Sequence, residues 1–123
     1  MAEAGAEGLI TFLYYRDLRR AAGFYEEIMG FELTVDQGWA KIYRVLDGAF
    51  VGLVDERRGY HRASPTKPVM IAVVVPDVDA WYRSLKERGV ETLNEPREIE
   101  EAGIRAFLLE DPEGYVIEIM EFI

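Results

Sequence analysis

The sequence predicts an α+β protein made of two β-α-β-β-β modules. Three observations carry this prediction. An apolar strand, an aspartate and an amphipathic helix closed by glycine occur twice in the chain. The two aspartates, Asp17 and Asp77, stand sixty residues apart, and the apolar helix positions keep that offset. Each helix is followed by short β-rich runs folded about a glycine turn.

The elements follow in order. Residues 9–15 (Leu-Ile-Thr-Phe-Leu-Tyr-Tyr) form an apolar strand. Asp17 then suits an N-cap, because its carboxylate can accept the free amides of a first helical turn. The helix runs over residues 18–29, with Leu18, Ala21, Ala22 and Tyr25 at i, i+3, i+4 and i+7. Gly30 suits the left-handed residue that ends it. A short strand at 31–35 leads to strands at 39–46 and 49–54, which flank the hairpin signal Asp47-Gly48. The second module repeats the plan: a strand at 69–75, Asp77, a helix at 78–88 with Val78, Trp81, Tyr82 and Leu85 on its stripe, then Gly89. Strands are expected at 91–93, 104–109 and 115–122, the last two about Asp111-Pro-Glu-Gly114. The acidic run 98–101 reads as a solvated loop. Residues 1–8 read as a flexible lead and 55–68 as a linker joining modules 9–54 and 69–123 within one domain.

Composition narrows the chemistry. The 123 residues carry a formal net charge of −9, with no cysteine and one histidine. This excludes disulfides, thiolate metal sites and a cysteine nucleophile. It also denies a single chain any two-histidine metal site. The acidic balance argues against a nucleic-acid groove. No apolar run is long enough to span a membrane, and the first residues lack the basic and apolar regions of a secretory signal. Cytoplasmic residence is the expectation.

The duplicated plan, with Asp17-Leu18, Phe24-Tyr25 and Gly30-Phe31, then Val75-Pro-Asp-Val-Asp79, Gly89-Val90 and Asp111-Pro-Glu-Gly-Tyr-Val-Ile-Glu118, resembles the vicinal oxygen chelate superfamily. That group comprises glyoxalase I, extradiol dioxygenases and bleomycin-resistance proteins. The resemblance covers residues 9–122. It implies a curved mixed sheet around a cup, and in metal-dependent relatives four inward ligands, one from each of four strands. Carried over position by position, those ligands fall at Ile10, Gly52, Met70 and Glu118. Three of these are alkyl, hydrogen and thioether, which do not suit a hard or borderline divalent metal. No metal and no cofactor is therefore expected. The type implied is the metal-free bleomycin-resistance kind, a homodimer with a small-molecule ligand.

Strand alternation then gives the lining. Ile10, Phe12 and Tyr14 point inward, as do Met70, Ala72 and Val74, and Val116, Glu118 and Met120. Phe50 and Val54 flank Gly52, which is expected to open space. The hairpins offer Trp39 or Tyr43, and Arg105 or Phe107. Glu118 is the candidate catalytic base or counter-charge for a cationic aromatic ligand; its structural alternative is pairing with Arg105 across the hairpin. His61 lies in the linker and reads as a solvated residue, or as part of a lid. Arg57, Arg58, Arg62 and Lys67 read as a solvated rim. The expected function is metal-independent binding of an organic ligand, with a glyoxalase-like lyase, isomerase or dioxygenase using Glu118 as the alternative. A third possibility is an interaction module whose cup is filled by its own side chains.

Overall fold

In a computed structural model, residues 5–123 are described; the first four residues of the expected lead lie outside them. The chain forms two compact units, Met1–Ser64 and Pro65–Ile123. In the first, β1 (Leu9–Tyr15), α1 (Leu18–Gly23), β2 (Glu32–Asp36), β3 (Ala40–Leu46) and β4 (Ala49–Asp55) follow one another. In the second, β5 (Met70–Val74), α2 (Val78–Glu87), β6 (Arg97–Ile99), β7 (Ile104–Glu110) and β8 (Val116–Phe122) repeat the order. Each unit holds a four-stranded sheet, β1-β4-β3-β2 or β5-β8-β7-β6, with one parallel pair and two antiparallel pairs. The α+β class and the paired β-α-β-β-β plan are those the sequence predicts.

The helix signals act as read. Asp17 Oδ1 accepts the Arg20 amide and Asp77 Oδ1 the Ala80 amide, each at 3.1 Å. Gly30 and Gly89 take φ of 74° and 80°, which lets the chain leave each helix. The first helix is less regular than its stripe suggests. Past Gly23 it continues over Phe24–Ile28 in π-helical winding, with the Met29 amide donating to the Phe24 carbonyl at 3.0 Å.

Each helix covers one sheet face. Leu13, Tyr15, Tyr43, Val51 and Leu53 lie under α1 with Tyr25, and the Tyr15 and Tyr25 hydroxyls meet at 3.3 Å. Phe107, Ile117 and Ile119 lie under α2 with Leu85, and the Tyr82 ring meets Phe107 edge-on at 5.2 Å. Trp81 and Tyr82 are only half-buried. Among the described residues, no helix is long and apolar enough to cross a membrane.

One strand is displaced from its expected place. Residues 91–93 contribute a single bridge, Thr92 to Leu109, and the edge strand is Arg97–Ile99 instead. Asn94 explains the shift. Its side-chain oxygen accepts the Leu108 amide at 2.8 Å, taking the place of a ladder carbonyl. Thr92 Oγ1 donates to the Asn94 carbonyl at 2.9 Å and turns the chain outward. Part of the acidic run is thus ladder rather than loop: Glu98 pairs with Arg105 and Ile99 with Ile104.

Candidate functional site

The face of each sheet away from its helix is the candidate surface. In the first unit, alternation places Ile10, Phe12 and Tyr14 on it, with Ile10 and Phe12 39% and 45% exposed. Across the ladder, Phe12 pairs with Gly52, and Gly52 with Ile42. Gly52 does not open space, as its lack of a side chain suggests. A Cβ there would overlap the Phe12 ring and approach Ile10 Cγ2 at 3.2 Å. The volume is occupied by Phe12.

Beyond Phe12 the same face stays open. A groove of about 520 Å³ is lined by Ile10, Val35, Ile42 and Phe50, with Thr34, Glu32 and Arg44 at its margin. Arg44 bridges Glu32 and Asp47, the latter at 3.1 Å. The wall is apolar and the edge is charged, which is the usual make-up of a small-molecule groove. Phe50 is the aromatic residue of this wall; Val35 and Ile42 are lining that parity arguments from the first strand alone miss.

The opposite end of the face is covered. The segment after β4 folds back so that a Cβ on Gly59 would meet Val54 Cγ1 at 2.5 Å and Tyr14 Cε2 at 2.8 Å. His61 packs edge-on against Tyr14 at 5.2 Å and against Tyr60 at 4.8 Å. His61 is exposed, as read from the sequence, and lies over the Tyr14 ring. The basic residues of this segment are engaged too. Arg57 chelates Asp55, the nearer contact at 2.6 Å, and Arg58 lies 5.1 Å over the Trp39 ring. Arg62 donates to the Gly59 carbonyl at 3.0 Å, and Lys67 lies 4.8 Å over the Tyr115 ring. Arg57 holds the Asp55 carboxyl down at about 2, through its guanidinium first and its backbone amide second.

In the second unit, Met70, Ala72 and Val74 are exposed on the helix-free face. They pair with Val116, Glu118 and Met120 respectively. Met120 is buried against Ile104, Ala106 and Ile99, so it is core rather than open wall. Glu118 is partly exposed and, among the described residues of its unit, makes no hydrogen bond or ion pair. Its ladder neighbours are Ala72 and Leu108.

Three expected lining residues face the helices instead. Tyr43 is fully buried beside Tyr25, and its hydroxyl donates to Glu26 at 2.8 Å. Burial, then the bond to Glu26, holds this phenol protonated well above the ordinary tyrosine range. Phe107 is fully buried against Tyr82. Arg105 binds Asp79 of α2 at 2.8 and 3.1 Å, which leaves the expected Arg105–Glu118 pair unmade. The cause is register: Arg105 stands opposite Glu121, and Leu108 opposite Glu118.

The four positions where metal-dependent relatives would carry ligands do not fit a metal. Ile10 and Met70 offer no oxygen or nitrogen donor, and the room beside Gly52 holds the Phe12 ring. Glu118 is the single carboxylate of the set. Asp77, Asp79 and Glu121 approach one another elsewhere in the second unit. They are structural: Asp77 caps α2, Asp79 binds Arg105, and Glu121 accepts the Val78 amide at 3.0 Å.

Comparison with known proteins agrees with this architecture. The chain is 24% identical over 121 residues to the uncharacterized protein YraH of Bacillus subtilis (strain 168), covering 90% of this chain and 94% of that protein. Among solved structures, it is similar to a glyoxalase/bleomycin resistance protein/dioxygenase from Nocardioides, with TM-score 0.80 and 20% identity over 100% of this chain and 87% of that one. A family member from Sphaerobacter thermophilus DSM 20745 gives 0.78 and 23% over 93% and 95%. Lactoylglutathione lyase from Agrobacterium tumefaciens gives 0.75 and 19% over 92% and 91%. At these identities the structures establish the fold, and fold alone does not assign an activity. The model of the Glyoxalase/Bleomycin resistance protein/Dioxygenase superfamily matches residues 9–119, so the chain belongs to that superfamily.

Proposed function

We propose that this protein is a metal-independent small-molecule binding protein, taking an organic, cationic aromatic ligand on the helix-free faces of its sheets. One observation carries the reading. The helix-free face of the first unit presents an open apolar groove at Ile10, Val35, Ile42 and Phe50, and Ile10, the one ligand-equivalent position in its wall, is hydrocarbon. Phe50 and the exposed Phe12 supply aromatic surface in the first unit, and on the helix-free face of the second unit Glu118 supplies a carboxylate. The net charge of −9 favours the approach of a cation. Pairing of two chains belongs to the same reading.

A second reading rests on Glu118. A carboxylate with no partner in its unit, set among Ala72, Val116 and Leu108, has the character of a base in a lyase or isomerase.

Thermal shift against a panel of cationic aromatic compounds, glycopeptides included, tests the first reading. At least one compound should raise Tm in the presence of a chelator, and Phe50→Ala should weaken its binding by about tenfold. A panel without any shift, together with turnover of methylglyoxal and glutathione that Glu118→Gln abolishes, would replace it with the second.

A further inference from the structure

The helix-covered side of the first unit holds a second cleft, of about 760 Å³, where α1 faces β3 and the end of β4. The internal duplication accounts for it. The sixty-residue offset that relates Asp17 to Asp77 sets Ala22 against Tyr82 and Arg19 against Asp79. Lys41 stands opposite Leu53, and Leu53 opposite Leu13; Phe107 stands opposite Ile119, and Ile119 opposite Val73. Lys41 and Phe107 therefore hold equivalent places. In the second unit Tyr82 and Phe107 fill this region with two packed rings. In the first, the same places hold Ala22 and Lys41, and a cleft remains. Gly23 widens it, since a Cβ there would touch nothing within 4 Å.

Hydrogen-bond accounting sets the sign of what fits. The carboxylates on the cleft wall already serve internal donors. Asp17 accepts the Arg20 amide at 3.1 Å, Glu26 the Tyr43 hydroxyl at 2.8 Å, and Asp55 the Arg57 guanidinium at 2.6 Å. Arg19 makes no hydrogen bond or ion pair among the described residues. Its counterpart Asp79 is closed by Arg105 at 2.8 Å. Arg19 therefore keeps its full set of guanidinium donors, and a planar fork of donors matches an oxyanion. At the rim, Lys41 is paired with Asp36 at 2.9 Å and Arg57 with Asp55 at 2.6 Å, so these two offer only their remaining N–H groups.

We propose that this cleft binds a small organic oxyanion, a carboxylate or a phosphate monoester, held by Arg19 with Lys41 and Arg57 beside it. The volume lies within the range of ordinary small-molecule sites, and Leu18 and Ala22 give the organic part an apolar floor. The site is independent of the groove on the opposite sheet face.

Amide chemical-shift titration of the full chain with phenyl phosphate, with benzoate and with inorganic phosphate is the test. Phenyl phosphate or benzoate should saturate in the millimolar range, moving the Arg19, Gly23 and Gly38 amides, and should weaken as salt is added. Whichever organic probe binds more tightly identifies the oxyanion; inorganic phosphate should bind more weakly than either, lacking the apolar part. Arg19→Ala, an exposed position, should weaken binding by about tenfold. Ala22→Tyr should abolish it by restoring the filling of the second unit. Absence of saturation with both organic probes, or binding indifferent to Arg19→Ala, would overturn the proposal.

Discussion

Asp55 shows how a single residue can be tied down by a neighbour two positions away. It is 8% exposed, and Arg57 meets both of its oxygens while donating its own amide to one. The carboxyl is lowered from 3.8 to about 2. A depressed carboxyl contributes stability that is full above its unfolded value and is lost as pH falls through its folded one. Asp55→Asn should therefore lower stability by about 1–2 kcal/mol at neutral pH. In urea denaturation the gap from the parent should hold down to pH near 3.8 and close toward about 2. A gap unchanged at the lowest pH would show that the ion pair is not its source. Phe12 makes a different point. Sequence parity places it correctly on the helix-free face, and glycine at position 52 suggests a vacancy beside it. The two facts together mean that the ring occupies the vacancy, which neither states alone.

At the scale of elements, the strongest local signals were legible. The caps Asp17 and Asp77, the turn at Gly48 and the helix ends at Gly30 and Gly89 act through their own residues and short-range bonds, so the sequence is sufficient to read them. The edge strand of the second unit was not legible, because its position depends on Asn94 reaching the Leu108 amide across the chain. Nor were Tyr43, Arg105 and Phe107, whose facing depends on hairpin register: around Tyr43 the β2–β3 and β3–β4 ladders each contain a shift, and the β7–β8 register sets Arg105 opposite Glu121 and Phe107 opposite Ile119. The segment after β4 is tightly fitted. Gly59 sits against Val54 and Tyr14 with no room for a methyl group. Gly59→Ala should lift this segment, destabilise the protein by about 1–3 kcal/mol, and remove the ring-current shift that Tyr14 imposes on His61. A proton spectrum with the His61 resonances unmoved would contradict that placement.

For the whole molecule, the duplication is the most informative feature of the sequence. It orders the elements, locates the four ligand positions of metal-dependent relatives, three of which differ in this chain, and shows where the two units have diverged. Around α2, Tyr82, Phe107, Asp79 and Arg105 form a closed set of rings and charges. Around α1, Ala22, Lys41 and an unengaged Arg19 take the corresponding places and leave a cleft. That contrast could have been drawn from the repeat once the register was known, but the strand offsets it needs run through cross-strand pairing. The metal question is also one of the whole chain, since it concerns Ile10 and Gly52 in one unit and Met70 and Glu118 in the other. The measurement that tests it most directly is calorimetric titration of chelator-treated protein with Zn²⁺, Ni²⁺, Mn²⁺ and Fe²⁺. With hydrocarbon, a filled glycine niche and a thioether at three of four ligand positions, no metal should bind stoichiometrically in the micromolar range. Stoichiometric micromolar binding that Glu118→Gln abolishes would contradict the account.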